Sequence, residues 1–438
     1  MPVLLAPLLA QLATVGVSDR TEARHAAPNG HYEAATRPGV RLQLAWPRYT
    51  LGFGYGANLT LTPLESTPRE LLVYHTVAVD TAYRWRHTSV FFTSSGSLGK
   101  VNFRRQALNP AGATPPVGGD GTANGDGATN GDGTTNGATG NGTTTGGTTA
   151  EPGSDPNAPT GTPNMQSVQL QQRATNESVA YGVWSSTLGV DHQVDRAFKL
   201  GGTASYVMSG GLESEARVFF PIARGVLLGA LATYTVPVST RDSFVTLVTL
   251  QQGWSSLDNN VTVGTGSEAW NQRISRRTFS SLSVGVSMAR AHVAEGYEVY
   301  STYPTFSAAL GHGARLGHGS LTLGLGVYSA PAVDPLRAAV DPRVGANGNI
   351  AYQLHRFFAN VNGGFAASIA RAGDDNAAFN NLSAGTLTGY KLTDWMQIDA
   401  GATMAQQAYR GTTTVPFSYA LMAGLTFGVS APIGGRNR

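Results

Sequence analysis

The 438-residue sequence has no cysteine, only 13% charged residues, and no apolar run of the roughly 20 residues that a membrane-spanning helix requires. Without cysteine there is no disulfide, no thiolate nucleophile and no cysteine metal site. A soluble chain of this length covers its outside with Lys, Glu and Asp, and this one does not have them to spend. The formal net charge of +3 is spread along the chain, and Lys and Arg do not cluster with aromatic residues, which excludes nucleic acid as a partner. Enzyme motifs are missing too. There is no Gly-x-Ser-x-Gly elbow and no His-Glu-x-x-His helix, and the run from Gly96 to Lys100 lacks the earlier glycine and following hydroxyl of a phosphate loop. No catalytic residue, no cofactor and no enzymatic activity are expected.

What remains is 55 glycines and a mean hydropathy of -0.11. A membrane β-barrel reconciles sparse charge with middling hydropathy, because alternate residues of each strand face lipid and water. The alternation is legible. Tyr49, Leu51, Phe53, Tyr55, Ala57, Leu59 and Leu61 alternate with Thr50, Gly52, Gly54, Gly56, Asn58 and Thr60. The same period of two returns at Leu321 to Val327, at Met396 to Met404 and at Phe417 to Val429. The second face is small and polar, not charged, as a barrel interior requires.

Tight turns are expected at Pro47 to Arg48, Arg86 to His87, Asp195 to Ala197, Ala223 to Arg224, Ser275 to Arg277, His355 to Arg356 and Thr393 to Asp394. Longer links alternate with them, near residues 63 to 70, 104 to 166, 239 to 260, 292 to 302, 331 to 337 and 371 to 377. The pattern predicts an all-β, closed antiparallel transmembrane barrel of about 18 strands, within a range of 16 to 20, in the outer membrane of a Gram-negative cell. Short turns then face the periplasm and long loops the exterior. Trp46 and Tyr49, Tyr83 and Trp85, Tyr352 with Phe357, and Trp395 sit beside the short turns, as an interfacial aromatic girdle would.

Residues 1–17 have the apolar core of a secretory signal without its basic flank or cleavage site, so the barrel proper is expected over 18–438. Residues 104–166 turn abruptly to Gly, Thr, Asn, Ala and Pro, with NGDG repeated at Asn124 and Asn130, and are expected to form a disordered extracellular loop within the barrel. The six-residue recurrence of Asp120, Asp126 and Asp132 does not match a calcium repeat. His312 and His318, each between glycines, flank an expected periplasmic turn, but two ligands do not make a metal site, and none is expected.

The polar face of the alternation carries Arg41, Gln43, Asn58, Asp80, Asp191, Glu215, Arg217, Gln353, Asn360, Asn362 and Asp399, the candidate lumen-lining residues. Both charge signs appear, unlike the single sign of an ion-selective pore. Such a wall suits a neutral, hydroxyl-rich solute; its charges serve equally well as braces. No inward-folded loop with a dominant charge, the mark of a general porin, is legible.

Three successive segments, TLGFGYGANLTLTPL, LLVYHTVAVDTAYRW and SVFFTSSGSLGKVNF, resemble strands of the outer-membrane barrels encoded with exopolysaccharide export systems. The resemblance covers residues 40 to 104, and the rest is similar in pattern only. It implies an 18-stranded barrel that passes a polysaccharide outward and assigns no site residues. It also implies delivery by a separate periplasmic partner, since the helical-repeat domain of some such porins is not seen in the sequence. The other partners expected are outer-membrane lipid and the exported polysaccharide or another hydrophilic solute. A general small-solute porin and a surface adhesin with a closed lumen are the alternatives.

Overall fold

The computed structural model describes residues 13–27, 31–62, 70–101, 179–219, 221–256, 259–292, 298–334, 338–368, 379–409 and 418–433. The insertion at 104–166 and the first twelve residues lie outside the described residues. Strand β1 begins at Ala13, so residues 13 to 17 of the apolar opening belong to a strand.

The strands are β1 (Ala13–Ala27), β2 (His31–Thr36), β3 (Gly39–Ala45), β4 (Tyr49–Thr62), β5 (Glu70–Arg84), β6 (Thr88–Val101) and β7 (Val179–Gln193). There follow β8 (Phe198–Gly211), β9 (Ala223–Pro237), β10 (Asp242–Ser255), β11 (Asn260–Gln272), β12 (Thr278–His292) and β13 (Glu298–Leu316). The last are β14 (Gly319–Asp334), β15 (Ala339–Leu354), β16 (Phe357–Ser368), β17 (Phe379–Lys391), β18 (Met396–Tyr409) and β19 (Ser418–Ile433). A short helix, α1 (Ser214–Phe219), stands between β8 and β9.

All strands join one antiparallel sheet, and β1 pairs with β19 from Ala13↔Ile433 to Ala27↔Tyr419, closing the ring. The nineteen segments make eighteen staves, because β2 and β3 are halves of one strand. Both halves pair β1 on one side and β4 on the other in unbroken register. Pro38 separates them: it has no N–H to give the ladder, yet its carbonyl still accepts from Ala57 N at 2.9 Å.

The faces follow from curvature. Side chains on the convex side splay apart and stay exposed, whereas those on the concave side crowd. Met288 is 65% exposed and its neighbour Ser287 0%; Leu250 is 54% exposed and Thr249 4%. The large apolar residues therefore cover the outside, which meets lipid, and the small polar ones line the inside.

Short turns sit at one end of the barrel and share a local chemistry. Trp46 N, Trp85 N, Ser239 N, Ser275 N and Thr393 N each donate to the carbonyl three residues on, at 2.7 to 3.1 Å. Asp195 Oδ1 accepts from Ala197 N and Phe198 N, and Ser239 Oγ accepts from Arg241 N and Asp242 N, the side-chain turns that Asp and Ser favour. The girdle pairs meet at this end: Trp46 with Tyr49 at 5.2 Å between ring centres, Tyr83 with Trp85 at 4.5 Å, Tyr352 with Phe357 at 6.5 Å, and Trp395 with Phe427 at 6.1 Å.

Two expected connections are corrected. The long link at 239 to 260 contains a whole strand, β10, preceded by the tight turn at Ser239. The tight turn expected at Ala223 to Arg224 is instead the start of β9, at the long-loop end. Ahead of Ala223, where Glu215 and Arg217 are expected on the polar face of a strand, the chain forms α1, and the strand absent there offsets β10 in the total. The common cause of the two corrections is the inner face of this part of the wall, where Leu227, Leu231, Val245, Leu247, Val261 and Val263 blur the alternation.

Candidate functional site

The lumen is the candidate site, and its walls differ by sector. Cross-strand partners share a face, so the register assigns each candidate residue. Arg41 stands opposite Gly16 and Gly54, Gln43 opposite Gly52, and Asp80 opposite Gly52 and Thr93; all are on the inner face. Asn58, opposite Tyr74, joins them. Asp191, Gln353, Asn360, Asn362 and Asp399 are likewise inward.

Glu215 and Arg217 are not on a strand. Both belong to α1, where Arg217 donates to the carbonyls of Gly211 and Leu212 at 3.2 and 3.1 Å. Alternation cannot distinguish a six-residue helix from a strand over so few positions. The helix packs on the inner face: a Cβ on Gly211, which pairs inward-facing Tyr181, would lie 2.5 Å from the carbonyl carbon of Ala216.

At the seam where the barrel closes, ion pairs brace the wall. Arg20 reaches Asp399 at 2.6 Å and Glu22 at 3.1 Å, and Glu22 also pairs with Arg24 and, at 2.8 Å, with Arg37. Thr426 adds a hydrogen bond to Asp399 at 3.2 Å. Arg20, Glu22, Arg24 and Asp399 are all buried, so each carries a desolvation cost that only its partners offset. Asp191 is similarly buried and sits 3.4 Å from Lys199. Asp399 and Asp191 thus act as fasteners, not as free lumen charges. The basic partners of β1 were missed in sequence because that strand has little apolar alternation; its Arg20, Glu22, Arg24 spacing of two was the available signal.

The sector from β9 to β13 mixes Leu and Val with small polar residues inside, and it is covered at the long-loop end. Strand β14 pairs β13 only as far as Ser329, while its pairing with β15 continues to Asp334↔Ala339. Strand β15 pairs β16 only from Arg343 onward. The free tip of the β14–β15 hairpin turns into the lumen, where Val333 and Val340 pack against Val261, Val263, Ala289 and Tyr303. A Cβ on Gly253 would stand 3.5 Å from Val333 Cγ1, and Val261 is 0% exposed. The link expected at 331 to 337 is therefore inward-folded on its described residues, and it docks through apolar contacts, not through charge. With α1, it narrows the lumen at the long-loop end.

The sector from β14 to β17 is open and polar. Asn347 and Asn349 on β15 and Asn360 and Asn362 on β16 face inward and are exposed. Among the described residues no three His, Cys, Asp or Glu side chains gather as a metal site requires. His312 is held by Thr278 at 2.8 Å, while His318 neighbours His355 at 6.4 Å between ring centres. No helix among the described residues is long and apolar enough to cross a membrane; the strands do so.

A profile of the EpsX exopolysaccharide export family matches residues 133–429. The chain belongs to that family. The match falls beyond residues 40 to 104, on the portion that resembled export barrels in pattern alone. This EpsX-family barrel is an outer-membrane protein with the architecture of a channel. A comparison with curated proteins found no match. Among solved structures, it is similar to the outer membrane protein opdK of Pseudomonas aeruginosa, at 10% identity and TM-score 0.43 over 96% of this chain and 99% of that one. It is also similar to a bacterial polysaccharide outer membrane secretin, at 8% identity and TM-score 0.36 over 96% and 98%. The FrpB iron transporter of Neisseria meningitidis follows at 8% and 0.46 over 97% and 83%.

Proposed function

We propose that this barrel exports a polysaccharide to the cell surface, the chain passing through the hydrated lumen. The observation that carries the proposal is membership of a family described by exopolysaccharide export. The lumen supports it: the buried acids Glu22, Asp399 and Asp191 are tied to bases at the seam and at Lys199, and the open sector offers amides. Weak, repeated hydrogen bonds let a polymer enter without trapping it, whereas strong fixed charges would hold it. A separate periplasmic partner delivers the polymer in this reading.

Deletion of the gene should remove surface polysaccharide while leaving its synthesis intact, and the purified barrel should conduct in planar bilayers. A permanently closed barrel together with unchanged surface polysaccharide would sink the proposal. The inward-folded hairpin favours one second reading, a general small-solute porin. Permeation of mono- and disaccharides into liposomes, with surface polysaccharide normal in the deletion strain, would select it.

A further inference from the structure

We infer that the asparagines of β15 and β16 form a contact strip for uncharged sugar units of the polymer, an inference that rests on the export reading above. The register assembles it. Gly324, Asn349, Asn362 and Gly385 lie in one rung across β14 to β17, and Gly326 opposes Asn347 in the next. Glycine is needed opposite three of the four amides, whereas Asn360 lies between Ala351 and Leu387. A Cβ on Gly324 would fall 2.1 Å from Asn349 Oδ1, one on Gly326 2.5 Å from Asn347 Oδ1, and one on Gly385 2.7 Å from Asn362 Oδ1. The amides of Asn347, Asn349 and Asn362 therefore lie across the bare backbone of the neighbouring strand and do not project into the passage.

This geometry gives a low, smooth surface on which every amide still offers donors and acceptors. Asn347, Asn349, Asn360 and Asn362 are all exposed, so their hydrogen bonds go to whatever fills the lumen. Between Arg343 near one end of the sector and Lys391 at the other, the inner positions of the four strands carry no charge. An amide can both donate to and accept from a sugar hydroxyl, while a carboxylate or guanidinium does only one. Successive amide rungs let one hydroxyl be released as the next is taken up, which favours sliding over capture. The chemistry selects hydroxyl-bearing, uncharged units over uronic acids.

The test uses the full-length barrel in planar bilayers, with maltoheptaose and an oligogalacturonate of equal length as probes. Wild type should give current blockades with both, and longer ones with maltoheptaose. The double change Asn349→Val with Asn362→Val should shorten the maltoheptaose dwell time roughly tenfold, equivalent to about 1.4 kcal/mol. Asn349→Asp with Asn362→Asp should retain much of the neutral dwell time while repelling the oligogalacturonate. Equal dwell times in wild type and the valine variant would overturn the strip alone, with the channel intact. Longer blockades by the acidic probe in wild type would overturn the uncharged class. No blockade by either probe in wild type would remove both the strip and the export reading. If the valine variant did not reach the folded form on a gel, Asn349→Ser and Asn362→Ser would be measured instead, with a severalfold shorter dwell expected and an unchanged one fatal.

Discussion

Two sectors of one wall, built from strands of similar length, have opposite interiors. From β9 to β13 the inner face is apolar or small and closed over by Val333 and Val340. From β14 to β17 it is rich in glycine and asparagine and left open. The outer faces do not differ in kind: Leu250, Val284 and Met288 on one sector and Leu325, Ile350 and Val361 on the other are all exposed. Lipid imposes one demand on the outside everywhere, but the inside answers to whatever occupies it, here a folded-in hairpin in one sector and aqueous passage in the other.

The largest effect expected from breaking this contrast is a charge placed under the hairpin. Val261→Asp should destabilise the barrel by about 3–5 kcal/mol, the scale of an uncompensated buried charge, read as a lower urea midpoint in detergent. Asn349→Ala in the open sector should cost under about 0.5 kcal/mol in the same assay, as an exposed substitution does. Equal costs would mean that the two interiors are not different environments.

The next effect concerns passage. Val333→Asp should undock the hairpin tip and raise single-channel conductance. Because the chain has no native cysteine, Val333→Cys with Gly253→Cys should form one disulfide that locks the tip down. Oxidised, that variant should conduct like wild type, since the tip is already docked. A large fall on oxidation would place the docked state outside the conducting one.

The smallest effect sharpens the open sector. Gly324→Val forces the Asn349 amide off the wall, because the new Cβ would overlap its oxygen. The yielding partner is a flexible side-chain end, so the cost should be about 1 kcal/mol, the low end for overpacking. Conductance should fall slightly as the amide enters the passage, measured beside Gly264→Val on the outer face, where a Cβ meets nothing within 4 Å and no change is expected.

Legibility followed the same divide. Where small polar residues oppose Leu and Phe, as in β4, β14, β18 and β19, the period of two marks the strands and their inner and outer faces. In β9 to β11 the inner face carries Leu and Val as well as polar residues, because part of it is covered, and the period fades. That is why β10 was hidden within a link and a turn was misplaced at Ala223. The signal that would have rescued it was the turn chemistry, since Ser239-Thr-Arg-Asp resembles Ser275-Arg-Arg-Thr and Asp195-Arg-Ala-Phe. In the candidate site, the sequence told which side chains share a face, yet not which charges are tied. Asp399 and Arg20 are 379 residues apart and meet only because the last strands pair with the first.

By itself, then, the amino-acid order determined the barrel, its antiparallel meander and its apolar exterior, because strand pairing between neighbours and exposure to lipid are local demands repeated at every stave. Only the tertiary structure decided what fills the interior. Ring closure brings the ends of the chain into an ionic seam, and a hairpin that leaves its neighbours finds a distant wall. Both depend on contacts across the lumen, where no periodicity along the chain carries information.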